Sequence, residues 1–239
     1  MNDDDKMGKL LSRRDWLALF GAAGVAVLAG CAGETAKMSA PATSLPPCIG
    51  KLSQTLGPYF VEEKLNRSDI RTDAASGAIK EGLPLQIEFR VSHVGENSCT
   101  PLEGATVDVW HCDAAGVYSD VKDPSFNTVG QKFLRGFQTT DANGVARFTT
   151  NYPGWYEGRT VHIHFKIRHQ NYDFTSQLYF DDALTDKVHA QSPYAAKGQR
   201  TLKNAGDDIF KSGGSDLVLT LAETEQGYKA TFEIGLQTA

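Results

Sequence analysis

The chain has 239 residues, 41% hydrophobic and 22% charged, the balance of an ordinary globular protein and not of a disordered or fibrous one. With 29 acidic against 24 basic residues the net charge is -5, which leaves no basic footprint for nucleic acid. Four cysteines are too few to staple a chain of this size, and none stands in a C-x-x-C pair.

The N-terminus reads as an address. Ser12-Arg13-Arg14-Asp15-Trp16-Leu17 leads into an uncharged run from Trp16 to Gly30, the pattern of a twin-arginine (Tat) export signal. The run falls short of the ~20 residues that a helix needs to cross a bilayer, so it is expected to be a signal core and not a permanent span. It ends in Leu28-Ala29-Gly30-Cys31, which resembles a lipobox and makes Cys31 the expected lipid anchor; an ordinary cleavable signal with a chance cysteine is the plainer alternative. Residues 1–30 are therefore assigned to a Tat signal peptide and 31–47, rich in Ala, Ser, Thr and Pro, to a lipidated cysteine with a flexible tether. The expected location is extracytoplasmic, with membrane contact through the lipid. Because the Tat route carries proteins already folded, often with a cofactor loaded, it also hints at a metal.

Residues 48–239 read as one domain. Leu85, Ile87, Phe89 and Val91 alternate with polar residues, as do Val107 and Val109, and again Val161, Ile163, Phe165 and Ile167. Asp141-Ala142-Asn143-Gly144 predicts a hairpin turn between Phe137–Thr139 and Val145–Phe148, since Asn-Gly supplies the positive φ angles of tight turns. Leu217–Leu221 and Tyr228–Leu236 predict a last hairpin through Gln226-Gly227. Only Asp181–Ala190 and Ala195–Asn204 have helical character. Short strands at regular spacing predict an all-β fold, an antiparallel β-sandwich with few short helices and long loops around its site.

The chemistry-bearing residues gather around the strand Thr160–Arg168. His162 and His164 are two apart and leave one face of it, while Ile163 and Phe165 enter the core on the other. Two imidazoles on one face can share a metal. Six residues earlier, Tyr156 follows a Pro153-Gly154 turn, and Tyr118 follows the strand Ala105–His111. The series Gly104-Ala105-x-Val107-x-Val109-Trp110, Gly116-x-Tyr118, Pro153-Gly154-x-Tyr156, Arg159-x-x-His162-x-His164 and Ser176-Gln177-x-Tyr179-Phe180 resembles, in this order and spacing, the intradiol ring-cleavage dioxygenases. The protocatechuate-type core is nearer than the catechol type, whose long helical N-terminal extension has no counterpart here.

That resemblance, over about Gly57–Phe210, implies a non-haem Fe(III) enzyme that cleaves the ring of a small aromatic diol with O2 to a muconate-type diacid. It implies Tyr118, Tyr156, His162 and His164 as metal ligands, with Tyr156 also taking a proton from the incoming diol. Two phenolates with two neutral imidazoles suit ferric ion, whose charge they partly neutralise. The resemblance further implies Arg159 beside the substrate ring, Gln177 behind it and Tyr59 in Gly57-Pro58-Tyr59 bordering the pocket. His93, His111, His169 and His189 match no family position. Two other readings of the same residues are a ligand-binding lipoprotein and a copper site, and both a monomer and a homo-oligomer are compatible with the chain. Cys99 and Cys112 flank the strand Ala105–His111, which holds them about 20 Å apart, beyond disulfide reach. Cys48 is the expected partner of one of them, preferably Cys99, since Cys112 adjoins the metal-binding segment.

Overall fold

The computed structural model describes residues 50–96 and 98–237. The Tat motif, Cys31, the tether and Cys48 lie outside the described residues. Among those described, no helix is long and apolar enough to cross a membrane. Cys99 is disulfide-bonded and Cys112 is a buried free thiol.

The strands in chain order are β1 (Pro84–Val94), β2 (Cys99–Pro101), β3 (Thr106–Trp110), β4 (Lys122–Asp123), β5 (Phe126–Asn127), β6 (Arg135–Thr139), β7 (Val145–Asn151), β8 (His162–His169), β9 (Tyr172–Tyr179), β10 (Ala222–Glu223) and β11 (Tyr228–Leu236). Helices α1 (Asp182–His189) and α2 (Asp208–Lys211) lie between β9 and β10. One sheet runs β10-β11-β1-β2 with β7 also paired to β1, and the other runs β6-β3-β8-β9. Period-two patterning produces the core between them. Leu85, Ile87, Phe89 and Val91 of β1 are buried, as are Ile163, Phe165 and Ile167 of β8. Phe89 meets Phe165 of the opposite sheet at 5.4 Å between ring centroids, and Phe232 of β11 meets Phe165 at 5.3 Å.

The β-rich architecture with few short helices agrees with the sequence; four details depart from it. The long pairing of β1 with β11, from Leu85↔Tyr228 to His93↔Leu236, is parallel. These strands open and close the sandwich, so the chain between them is long enough for the crossover that parallel strands require. The Asp141–Gly144 turn forms, with Gly144 at φ 72° and Gly144 N–H donating to Asp141 O at 2.8 Å. It is not a hairpin: β6 pairs with β3 and β7 with β1, so the turn carries the chain from one sheet to the other. The last hairpin has a two-residue first arm, β10, whereas Val218 bridges Tyr179 in the other sheet. The expected helix over Asp181–Ala190 is α1, capped by the Asp181 side chain accepting from Leu184 N–H. Ala195–Asn204 is not a helix; 3-10 turns occupy Tyr194–Lys197 and Asn204–Gly206.

Two extended segments complete the edges. Around residues 65–70, Asn66 bridges Phe137 of β6 and Asp69 bridges Thr149 of β7, so one segment ties the edges of both sheets. Gln54 N–H donates to Thr175 O at 2.9 Å along the outer edge of β9. This lays residues 52–55 along β9 and brings Gly57 against the His164 ring of β8.

Candidate metal centre

Tyr118 is delivered by a loop folded on Asp113, whose Oδ1 accepts from Ala115 N–H and Val117 N–H, each at 3.0 Å. The phenol is fully buried. Its backbone is held from below by Thr128 Oγ1, which donates to Tyr118 O at 2.6 Å, and by buried Arg135, which donates to Ser119 Oγ at 2.8 Å. Tyr156 comes from the loop after β7. There His189 Nε2 donates to Pro153 O at 3.0 Å and Trp155 Nε1 to Gly198 O at 3.1 Å. Two glycines let the tyrosine loops touch. A Cβ on Gly116, at φ 79°, would stand 2.1 Å from Trp155 O, and one on Gly154 would stand 2.4 Å from Ala114 O.

His162 and His164 are both buried on β8, flanked by Tyr179 and Gln177 of β9, with Trp110 of β3 opposite His164. The His164 ring stacks on Trp110 at 5.0 Å with 6° between planes. A Cβ at Gly57 would come within 2.9 Å of the His164 ring. The imidazole therefore packs against both an indole and a glycine backbone.

The four predicted ligands converge. His162 Nδ1 lies 2.7 Å from Thr160 O and must carry the proton it donates there, which leaves Nε2 a lone pair. Around that lone pair stand His164 Nε2 at 3.1 Å, Tyr156 Oη at 3.2 Å and Tyr118 Oη at 3.5 Å. One lone pair cannot accept from all three neighbours at once, and the buried His164 Nδ1 has no hydrogen-bond partner. Donors bound to one ion at about 2.0–2.1 Å stand about 3 Å apart, and a single cation would engage all four atoms. Among the described residues, no group of three or more His, Cys, Asp and Glu side chains is arranged for a metal, so this centre depends on its tyrosines.

Electrostatics prepare the same donors. Burial, aided by the Arg159 charge, pushes His162 down to about 3, and burial with the neighbouring His162 holds His164 well below the ordinary histidine value, so both rings are neutral. Burial raises the phenols of Tyr118 and Tyr156 above the ordinary tyrosine value. They stay protonated until a cation reverses the local field.

The remaining predicted residues are close by. Tyr59 stacks on Tyr118 at 4.5 Å and lies edge-on to Tyr156 at 6.3 Å, its hydroxyl donating to Asp123 Oδ2 at 2.8 Å. Arg159 donates from Nη2 to Gln177 Oε1 at 2.6 Å. Gln177 also accepts from Tyr179 Oη at 3.1 Å and donates to Thr55 O at 3.1 Å. Sequence reasoning missed Asp207, which accepts from Arg159 Nε at 2.8 Å, and Gln54, which accepts from Tyr179 Oη at 2.9 Å. An aspartate before Asp208-Ile209-Phe210 signals a helix cap, and nothing local ties it to residue 159. A cavity of about 300 Å³ beside Lys51, Asp216 and Phe232 belongs to a different part of the surface.

The family model described as "Dioxygenase" matches residues 55–238. The chain is 30% identical to the catechol 1,2-dioxygenase of Candida albicans over 168 residues, 61% of this chain and 51% of that protein. It is also 30% identical to the protocatechuate 3,4-dioxygenase beta chain of Burkholderia cepacia over 171 residues, 66% of this chain and 72% of that one. The chain spans about half the length of the curated catechol and chlorocatechol dioxygenases it matches. An intradiol ring-cleavage dioxygenase from Tetranychus urticae superposes with a TM-score of 0.69 at 28% identity, covering 80% of this chain and 94% of that one. A family match over most of the chain, a relative matched over most of its own length and a shared fold agree: the chain belongs to the intradiol ring-cleavage dioxygenase family.

Proposed function

We propose that this protein opens the ring of catechol-type aromatics with O2 to muconate-type diacids, using a ferric ion held by Tyr118, Tyr156, His162 and His164. The observation that carries the reading is the His162 Nε2 lone pair faced by three polar atoms within 3.5 Å, two of them phenols, a donor set suited to Fe(III). When bound, the ferric ion supplies Lewis acidity toward the two oxygens of the diol and gives the tyrosinates their visible charge-transfer colour.

The chain's own groups do the rest. Tyr118 is sealed from solvent whereas Tyr156 is half-buried, so Tyr156, as the tyrosinate that a bound ferric ion would leave, is the group that would meet an incoming diol and take one of its hydroxyl protons on Oη. Tyr59 walls the ring-binding side. Arg159, a permanent cation, stabilises negative charge that develops on the substrate ring. Gln177 holds the guanidinium from behind. The expected export by the Tat machinery and the lipid on Cys31 place this chemistry outside the cytoplasm, and recovery of the mature protein in the membrane fraction is the matching outcome of cell fractionation.

Ferric-loaded protein is expected to be wine-red, to shift its visible band on adding catechol and to consume O2 as diacid appears. Tyr156→Phe should change the colour and slow diol binding. Arg159→Ala should lower turnover far more than iron content; loss of iron with wild-type turnover per remaining iron would refute the role of Arg159. Protein that stays colourless after ferric reconstitution overturns the whole reading.

A further inference from the structure

Arg159 is gripped at two of its three nitrogens. Nε donates to Asp207 Oδ2 at 2.8 Å and Nη2 to Gln177 Oε1 at 2.6 Å, with the Tyr179 hydroxyl also against the guanidinium, while Nη1 is not the donor of either bond. The guanidinium sits close enough to the centre for its charge to act on Tyr156, His162 and His164. Gln177 lies on β9 and follows from the sheet. Asp207 comes from a separate segment, 48 residues further along the chain.

The Asp207 carboxylate is 1% exposed and its two oxygens have different tasks. Oδ1 accepts from Ile209 N–H at 2.8 Å and Phe210 N–H at 3.0 Å, capping α2. Oδ2 accepts from Thr160 N–H at 2.7 Å as well as from Arg159 Nε. Burial by itself would push this carboxyl up; the N–H groups of Phe210 and Thr160 and the Arg159 charge outweigh it and keep it below the ordinary aspartate value. The segment is latched independently, since Thr160 Oγ1 donates to Asn204 Oδ1 at 2.7 Å and Asn204 Nδ2 to Phe180 O at 2.8 Å. A cap alone needs only one oxygen. The second holds Arg159 and Thr160, which lie three and two residues before His162 at the start of β8.

We propose that Asp207 is a positioning residue: it fixes the plane of the Arg159 guanidinium through Nε, so that Nη1, the donor of neither bond, is the edge offered to substrate. The inference rests on the intradiol reading for what Arg159 does, and on hydrogen-bond geometry alone for how it is held. An arginine kept by Gln177 only retains rotation about its side chain, and misplacing a group by about 1 Å is enough to lose roughly a hundredfold in rate.

The test is a double-mutant cycle of Asp207→Asn with Arg159→Ala, accompanied by Asp207→Ser, which keeps a capping side chain for α2 but is too short to hold Nε. Iron content and the visible band of both single Asp207 variants should match wild type. Their kcat for catechol should fall about 10- to 100-fold with KM changed less than about threefold. The double variant should be no slower than Arg159→Ala, because nothing is left to position. In iron-free protein, the Arg159 Nε–H resonance should exchange slowly with solvent in wild type and rapidly in Asp207→Ser. A double variant slower than Arg159→Ala by the full Asp207 factor, or an Asp207→Ser protein with wild-type kcat, overturns the proposal while leaving the intradiol reading intact. Wild-type protein that takes up no ferric ion and opens no catechol ring overturns the parent reading, and with it the role given to the held arginine. If Asp207→Asn does not fold, Asp207→Ser carries both readouts.

Discussion

The histidines divide by what their ring nitrogens already have. His111 is buried with both occupied: Nδ1 donates to Cys112 O at 2.8 Å and Nε2 accepts from Thr150 Oγ1 at 2.6 Å, so nothing remains for a ligand. His162 spends only Nδ1. This separation was legible in the sequence for the H-x-H pair, because strand periodicity places positions 162 and 164 on one face. It was not legible for His111, whose partner Thr150 comes from another sheet. Replacing Thr150 with Val keeps the shape and removes the donor. The variant should lose about 1–3 kcal/mol of stability in chemical denaturation, the penalty for a buried acceptor left unmade, with the iron-dependent colour unchanged.

At the scale of elements, β8 is fully specified by its own residues, whereas the loops that bring the tyrosines are specified by contacts between them. Gly154 has no special φ, yet Ala there would press its Cβ into Ala114 O and Asp113 O at 2.4 and 2.5 Å. Both neighbours are backbone and cannot swing aside. Gly154→Ala should therefore separate the Tyr118 and Tyr156 loops, lowering iron occupancy and broadening the visible band well before it lowers the thermal midpoint. The Asn143-Gly144 turn teaches a related lesson. Its local geometry was readable because Asn-Gly has one conformational preference, but turn chemistry does not say which strands pair afterwards. Pairing was decided by whether the flanking strand could bury its apolar side against β1 or β3.

For the whole molecule, acid should be the weak direction. His111 and His162 are held neutral by burial, at about 4 and about 3, against an ordinary histidine value near 6.5 in the unfolded chain. Between pH 6.5 and those values the unfolded state binds protons that the folded state refuses, so stability rises with pH and falls as pH drops through this window. Iron-free protein is expected to show a steadily declining thermal midpoint from pH 7 to pH 4, measured by scanning calorimetry; a flat profile there would contradict the buried neutral rings. The global arrangement could be anticipated only through resemblance, since Tyr118, Tyr156 and Asp207 reach the site across long stretches of chain whose folding no local pattern encodes. The alternation along β8 has one more consequence. A slip of β8 by a single residue against β3 or β9 would turn Ile163 and Phe165 toward the loops and bury two imidazoles against the phenylalanine core. Assembly of the donor set is thus a report on strand register: a misfolded copy cannot present the four groups together, and uptake of the proposed ferric ion would amount to a built-in fidelity check on folding.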